Sequence, residues 1–556
     1  MYHFRFKASK SDSLFTVVFL LSLLSPFISF RAIAQANIKS EEIDIVKPYQ
    51  PLLADAQKIN LEAAPAKVDT AIVPLNYSVN AHLIAVPFAP AEIRALSMPA
   101  PESETLLHNL LKAGFGTQFT PLIDLYLNNG RSDKYNFGFN FHHLSSNGKL
   151  DFQNFNSNAA AAKATTYFAG TSLGGKLTYD RDVYHFYGIK QGDSSSQLSK
   201  DFLKQRFQNI GVALQFQNTQ SNKQLFDYHF DFDFHYLEKA AALSSIPASN
   251  ENYFHFGTDL HKKILTIHSA NVKFDFEKEK FRSTSDTDLN YFSVIPYYQL
   301  NHTKGKITAG INLTFFNNTF TPFPYLEGEY KLIGDYLIPY AGWKGGRMLN
   351  TIESIRHINP FIGAASVADS KFNAPFIGLK GSYGNNLSYN IKASYQTKTN
   401  DPFFLPDAGS PTTYRISYYY QSKVINVHAE LGFRESEHIN FLLSGDANSY
   451  DLDFNDQPWG IPKSQLSFST EYNLQNKIFA TISIFGHTGT YTIVPEPRDT
   501  LQLKGRFDAN LSVTYNYKNN VGFWIALNNI TSSTVDLYYN YPTYKFQAMA
   551  GVNLKF

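Results

Sequence analysis

The amino-acid sequence predicts an all-β protein, a large antiparallel transmembrane β-barrel of about 22 strands (20 to 24). Three observations carry that reading. Aromatic residues make up 15% of the 556-residue chain, with 48 Phe and 35 Tyr, while charged residues are only 17%. The aromatics alternate with polar residues over most of the length, and the last residue is the Phe of such an alternating run. A chain rich in aromatics whose mean hydropathy is nonetheless −0.26 interleaves the two classes, as a wall with lipid on one side and water on the other requires.

The first element is an export signal over 1–34. Arg5, Lys7 and Lys10 precede an apolar run from Leu14 to Phe30, which ends at the small-x-small pattern Ala32-Ile33-Ala34. The alternative for that run is an uncleaved anchor. No other stretch reaches the ~18 apolar residues of a membrane helix, so any further membrane contact falls to strands. Net charge is +2, and removing 1–34 leaves about −1 by the same count, without the basic field of a nucleic-acid binder. Absence of cysteine excludes disulfides, thiol catalysis and cysteine-held metal or iron–sulfur centres.

Residues 35–107 form the second element, a proline-rich arm placed in the periplasm or the lumen. Pro48, Pro51, Pro65, Pro74, Pro87, Pro90, Pro99 and Pro101 cannot donate to a ladder and interrupt helices, so the arm is expected to be extended or irregular.

The third element, 108–556, is the barrel. Tyr135, Phe137, Phe139 and Phe141 alternate with Asn136, Gly138, Asn140 and His142. Phe226 to Tyr236 alternates aromatics with Asp227, His229, Asp231, Asp233 and His235, and Phe507 to Tyr515 alternates apolar residues with Asp508, Asn510, Ser512 and Thr514. Successive side chains of a strand point to opposite faces, so each run is two-faced. A soluble sandwich also alternates, but its strands average about five or six residues, whereas these runs reach about nine to eleven, the span of a tilted membrane strand. A repetitive adhesin would show a fixed period, and none is visible. Turn signals recur at Asn129-Gly130, Asn147-Gly148 and Lys518-Asn519-Asn520, and longer connections are expected at 346–372, 398–411, 447–463 and 487–503. At about 20 residues per strand and connection, the segment holds roughly 22 strands.

On this reading Asn136, Asn140, Asp227, His229, Asp231, Asp233, His235 and Asp508 face the lumen, where solvated polar groups are the ordinary lining. Asn271, Lys273, Asp275 and Glu277 repeat the pattern on a later strand, and the mixed signs give no clear ion preference. No located ligand set makes a metal site, and no cofactor is expected.

Leu111-Lys112-Ala113-Gly114-Phe115-Gly116, Arg131-Ser132, His142-His143-Leu144-Ser145-Ser146, the arm segment Val46-Lys47-Pro48-Tyr49-Gln50-Pro51 and the ending Leu527-Asn528-Asn529-Ile530 to Phe556 together resemble TonB-dependent-receptor-like outer-membrane barrels. The resemblance implies an envelope barrel in the outer membrane of a Gram-negative bacterium, surrounded by outer-membrane lipids. The amphipathic strand ending in Phe556 itself resembles the signal recognised by the barrel assembly machinery. The arm is shorter than a full plug domain, which departs from the receptors themselves. Glu42-Ile43-Asp44-Ile45-Val46 is then a candidate TonB box, a short strand that would augment the sheet of an energising partner.

The function expected is a porin-like or transport component for small solutes, rather than an enzyme. Alternatives are a TonB-coupled receptor, a scaffold for an envelope complex, and an outer-membrane lipid hydrolase. The last rests on His143-Leu144-Ser145, similar to the His-x-Ser-Asn signature of outer-membrane phospholipases and lipid A deacylases, with Ser146 where the signature has Asn. The odd phase of the strand puts His143 and Ser145 on the lipid face, and Asn156 or Asn158 would orient the histidine.

Overall fold

The computed structural model describes residues 108–130, 132–168, 170–189, 199–219, 226–240, 243, 246–407, 410–435, 438–494 and 498–556. The expected signal, the arm, the segment Glu42–Val46 and Arg131 lie outside them. The described chain forms one closed antiparallel sheet of 22 strands. Each wall strand pairs with the next, and the last, Gln547–Lys555, returns to the first, Leu110–Gly116, through seven register positions from Leu110↔Lys555 to Gly116↔Met549. Hydrocarbon offers no partner for an open edge, so this seam is a condition of membrane insertion.

The alternation read in the sequence is the alternation of the wall. Phe137, Phe139, Leu177, Ile210, Ile311, Phe507 and Phe523 are exposed on the outer face. Their strand neighbours turn inward, giving the belt that lipid wets. Many strands are longer than the nine to eleven residues expected, reaching 16 in Thr287–His302. Their extracellular ends project beyond the belt, where the alternation inverts: Phe281 and Leu289 turn inward while Lys280 and Asp288 face out.

The connections are unequal at the two ends. At one end they are short, the longest being 219–226 and 331–337. At the other they include 186–203, 351–367, 400–421, 453–463, 488–505 and 529–546. Barrels of this kind carry short turns on the periplasmic side, so the long connections are extracellular, and the chain enters and leaves the wall at the periplasmic end. Three expected loop boundaries are corrected, the first being 447–463, which narrows because Ala447 to Leu452 continue the strand Ile439–Leu452. The region 346–372 narrows because Gly346 to Asn350 continue the strand Ile338–Asn350, and 398–411 extends to 421 because it contains its own hairpin, Asp401–Asp407 with Ser410–Tyr419. The connections 186–203 and 529–546 were not anticipated. Within the latter, Asp536–Tyr538 pairs with Tyr541–Pro542 as a short hairpin separate from the wall.

The closing seam has a specific packing requirement. Trp524, on the strand Val521–Asn528, pairs with Gly551, which pairs with Gly114. Its indole is buried on this seam, and a Cβ at either glycine would overlap the ring. Lys112 Nζ lies 4.5 Å from the same ring. Glycine here makes room for the aromatic plate where the ladder closes. Gly114→Val should cost about 1–3 kcal/mol through overpacking. The expected outcome is a lower yield of folded barrel in heat-modifiable gel migration, with partial rescue when Trp524→Leu removes the plate.

Candidate functional site

The inner wall is most highly charged on three neighbouring strands, Asp227–Lys239, Ser249–Lys263 and His268–Arg282. Asp227, His229, Asp231, Asp233 and His235 share the inward face of the first. Register sets Asp233 opposite His255 and His255 opposite Glu277. His255 Nδ1 lies 3.2 Å from Asp231 and 3.6 Å from Asp233, and its Nε2 lies 3.7 Å from Asp275. Ligand atoms of Asp231, Asp233 and His255 all fall within 4.8 Å of one another, close enough for a divalent cation, although a protonated imidazole can itself balance these carboxylates. His255 was missed in the sequence because its role depends on which strand residue it faces. His229 is engaged by Gln217 at 2.9 Å, and His235 Nε2 is 3.2 Å from Glu251. Asn136 and Asn140 are inward on the strand Tyr135–Ser146, with Asn136 donating to Tyr167 Oη at 3.1 Å.

Asp508 faces inward but does not line open lumen. It is fully buried and accepts from Thr531 Oγ1 at 3.0 Å and from Arg506 Nη2 at 3.3 Å, while that same guanidinium donates to Asn529 at 2.6 Å. A buried carboxylate needs such partners, and here they tie the connection 529–546 to the wall.

The extracellular mouth is filled by its own connections. A short helix, α1 (Ile352–Ile358), opens with Thr351 as N-cap, its hydroxyl accepting from Ser354 N at 3.1 Å. The buried Glu251 of the wall accepts from Ile352 N at 2.5 Å, and Arg356 donates to Asp182 at 2.5 Å and to Glu353 at 2.6 Å. Ile352 and Val367 pack among the inward wall residues Phe207, Leu237, Phe281 and Leu349, so the segment 351–367 sits inside the rim. Above it Phe186, Ile246, Phe361, Phe404, Tyr414 and Tyr541 form one buried cluster drawn from the connections 186–203, 240–248, 351–367, 400–421 and 529–546.

Hydrogen bonds lock this second core. Tyr541 donates to Thr412 O, Tyr538 to Ile358 O, Tyr187 to Pro542 O at 3.1 Å, and Lys239 Nζ to Gly363 O at 2.7 Å. Burial pushes the phenol of Tyr187 up to about 12 and that of Tyr541 well above its ordinary value, so both remain donors at neutral pH. Beneath α1 lies a cavity of about 380 Å³ lined by His235, Tyr253, Glu277, Arg347, Thr351 and Glu353, among others. His235 and Glu277 in its lining join it to the acidic wall.

On the outer face the structure brings His143, Ser145 and Asn158 together. Ser145 Oγ is 3.3 Å from His143 Nε2, and His143 Nδ1 is 2.8 Å from Asn158 Oδ1. Asn156 is one step removed, accepting from the Asn158 amide.

No family model and no curated protein sequence matches this chain. Solved structures share the fold. The FrpB iron transporter from Neisseria meningitidis superposes with a TM-score of 0.63 at 10% identity, covering 81% of this chain and 81% of that one. The siderophore receptor PirA from Acinetobacter baumannii gives 0.61 at 7% identity, covering 81% and 80%. The copper transporter OprC gives 0.59 at 10% identity, with the same two coverages. The likeness shows a shared barrel fold.

Charge on α1 predicts how closure responds to acid. Burial raises the Glu353 carboxyl, but Arg356 and His357 outweigh it and hold it below its ordinary 4.5. A depressed carboxyl contributes stability above the unfolded value and loses it as pH falls through the folded one. Amide protection over 352–358, taken relative to the intrinsic exchange rate at each pH, should therefore fall as pH drops below about 4.5, and Glu353→Gln should flatten that dependence. Hydrogen exchange read by mass spectrometry checks both.

Proposed function

We propose that this chain is a gated outer-membrane transporter for small cationic solutes or metal complexes, coupled through its arm to a TonB-type partner. The observation that carries the reading is the closed mouth. A passive porin keeps a water-filled lumen, whereas here the connections build a buried core over and inside the rim. Moving that core aside costs energy, which fits a transporter driven from within better than a free pore. The acidic inner wall on Asp227–Lys239, Ser249–Lys263 and His268–Arg282 supports a cationic cargo, because carboxylates outnumber lysines along its inward faces. The iron transporter, copper transporter and siderophore receptor that share this fold support the same direction. Glu42–Val46 supplies the segment that would pair with the energising partner.

The test is conductance of the full-length mature chain in a planar bilayer. Intact protein should be silent, and the double variant Phe361→Ser with Tyr541→Ser, which removes a stacked pair at 3.8 Å, should conduct. In cells, deleting residues 41–51 should abolish accumulation of the cargo while leaving the barrel in the outer membrane. Steady conductance of the intact chain would return the porin reading. Uptake indifferent to residues 41–51 would remove the energised partner.

A further inference from the structure

The outer wall carries an arrangement that transport does not use. We infer that Ser145, His143 and Asn158 form a hydrolytic site for the acyl esters of membrane lipids, an activity independent of the gate and lumen.

The inference starts from register. Tyr135–Ser146 and Phe155–Phe168 pair without a break, Phe139↔Ala162, Phe141↔Ala160, His143↔Asn158 and Ser145↔Asn156. Cross-strand partners share a face, so all these residues stand on the side of the exposed Phe137 and Phe139. The adjacent His142 shows the contrast, turning inward to Asp124 at 2.5 Å. The site lies toward the end of its strand that feeds the extracellular connection 147–154, with aromatics below it. Exposed Phe119 on the adjoining turn, which Asn147 joins through Gln118 O, and Phe139 on the strand give the site apolar flanks that acyl chains can cover. Arg181, directly across from Asn158 on the next strand, Thr171–His185, keeps the same outward face and offers a cation for a lipid phosphate.

The hydrogen bonds have one consistent direction. Asn158 Oδ1 accepts from His143 Nδ1–H, which fixes the tautomer and leaves Nε2 as the base. Nε2 accepts from Ser145 Oγ–H at 3.3 Å. Asn158 Nδ2 donates to Asn156 Oδ1, which fixes the orienting amide in turn. This is the relation of nucleophile, base and orienter needed to make a hydroxyl attack an ester. Asn156 stands directly across from Ser145, and with its Oδ1 taken, its amide NH₂ is a donor on the same face for the oxyanion.

The chemistry balances with water as the co-reactant. Ser145 Oγ bonds to the ester carbonyl carbon as its proton passes to His143 Nε2. The bond from that carbon to the alcohol oxygen then breaks, and His143 returns the proton to the departing alcohol. Water next attacks the acyl-serine, giving one proton to His143 Nε2. As the carbon–Oγ bond breaks, His143 hands that proton to Ser145 Oγ, and a fatty acid leaves.

Two lipid classes carry such an ester, a glycerophospholipid and an acylated glucosamine disaccharide, so the assay has two arms. The full mature chain is folded in detergent and mixed with micelles of diacyl phosphatidylethanolamine, or with acylated glucosamine disaccharide, and released fatty acid is counted. A fluorophosphonate probe is applied in parallel, and the modified peptide is located by mass. Turnover in either arm, with the probe on Ser145, supports the site and identifies its lipid. His143→Ala should slow turnover by at least about 100-fold, and Asn156→Ala by about 100-fold or more, with gel migration of the folded barrel unchanged. Asn158→Asp should retain more activity than Asn158→Ala, which a purely structural role would not produce. Release no faster than that of Ser145→Ala in both arms, or labelling that survives Ser145→Ala, overturns the inference.

Discussion

The structure depends first on a rule about backbone groups in hydrocarbon, where each N–H and C=O must find a partner within the protein. A sheet meets that rule only by closing on itself. Here closure is the pairing of Gln547–Lys555 with Leu110–Gly116, the two ends of the wall in sequence. Side-chain alternation then follows from the pleat. One face of each strand is surrendered to lipid and the other to the interior. Even the glycines at 114 and 551 serve the closing ladder, since the Trp524 indole takes up the volume their side chains would need.

With the wall fixed, the remaining chain is free only at the two rims. One rim spends little on its turns. The other uses its length to make a core of its own, in which Phe361 stacks on Tyr541 and Glu251 binds the first turn of α1. The molecule therefore has two apolar surfaces of different kinds, an outer belt that faces lipid and a mouth packed like a soluble protein. The polar inner wall lies between them, with its carboxylates gathered around His255.

The sequence revealed these parts unequally, for physical reasons. The wall was legible because a period of two survives any loop length, so strand number and outward faces could be read without knowing the pairing. The mouth was not, because its core joins Phe186, Ile246, Phe404 and Tyr541 from connections that share no periodicity. Asp508 has the phase of a lumen residue, and only the fold shows that Thr531 and Arg506 enclose it. His255 becomes notable only when register sets it against Asp233, and the choice between Asn156 and Asn158 as partner of His143 likewise rests on register. The signal, the arm and the segment Glu42–Val46 lie outside the described residues, and the reading of them remains one of sequence.

The composition of the mouth also sets the order in which the molecule can be made. Its contacts unite residues as distant as Gln153 with Pro542, and Tyr187 with the same carbonyl, so neither bond can form until the strands carrying both partners have been threaded and joined. Ordering such remote pairs is entropically slow, and it falls at the end of assembly. A nascent barrel must then pass through a stage with a finished wall and loose, aromatic-rich connections at its outer rim. In that interval the protein is wide open to solvent and prone to sticking to its neighbours. Any factor that shields the unsettled loops would therefore act at this stage, after the strands have paired.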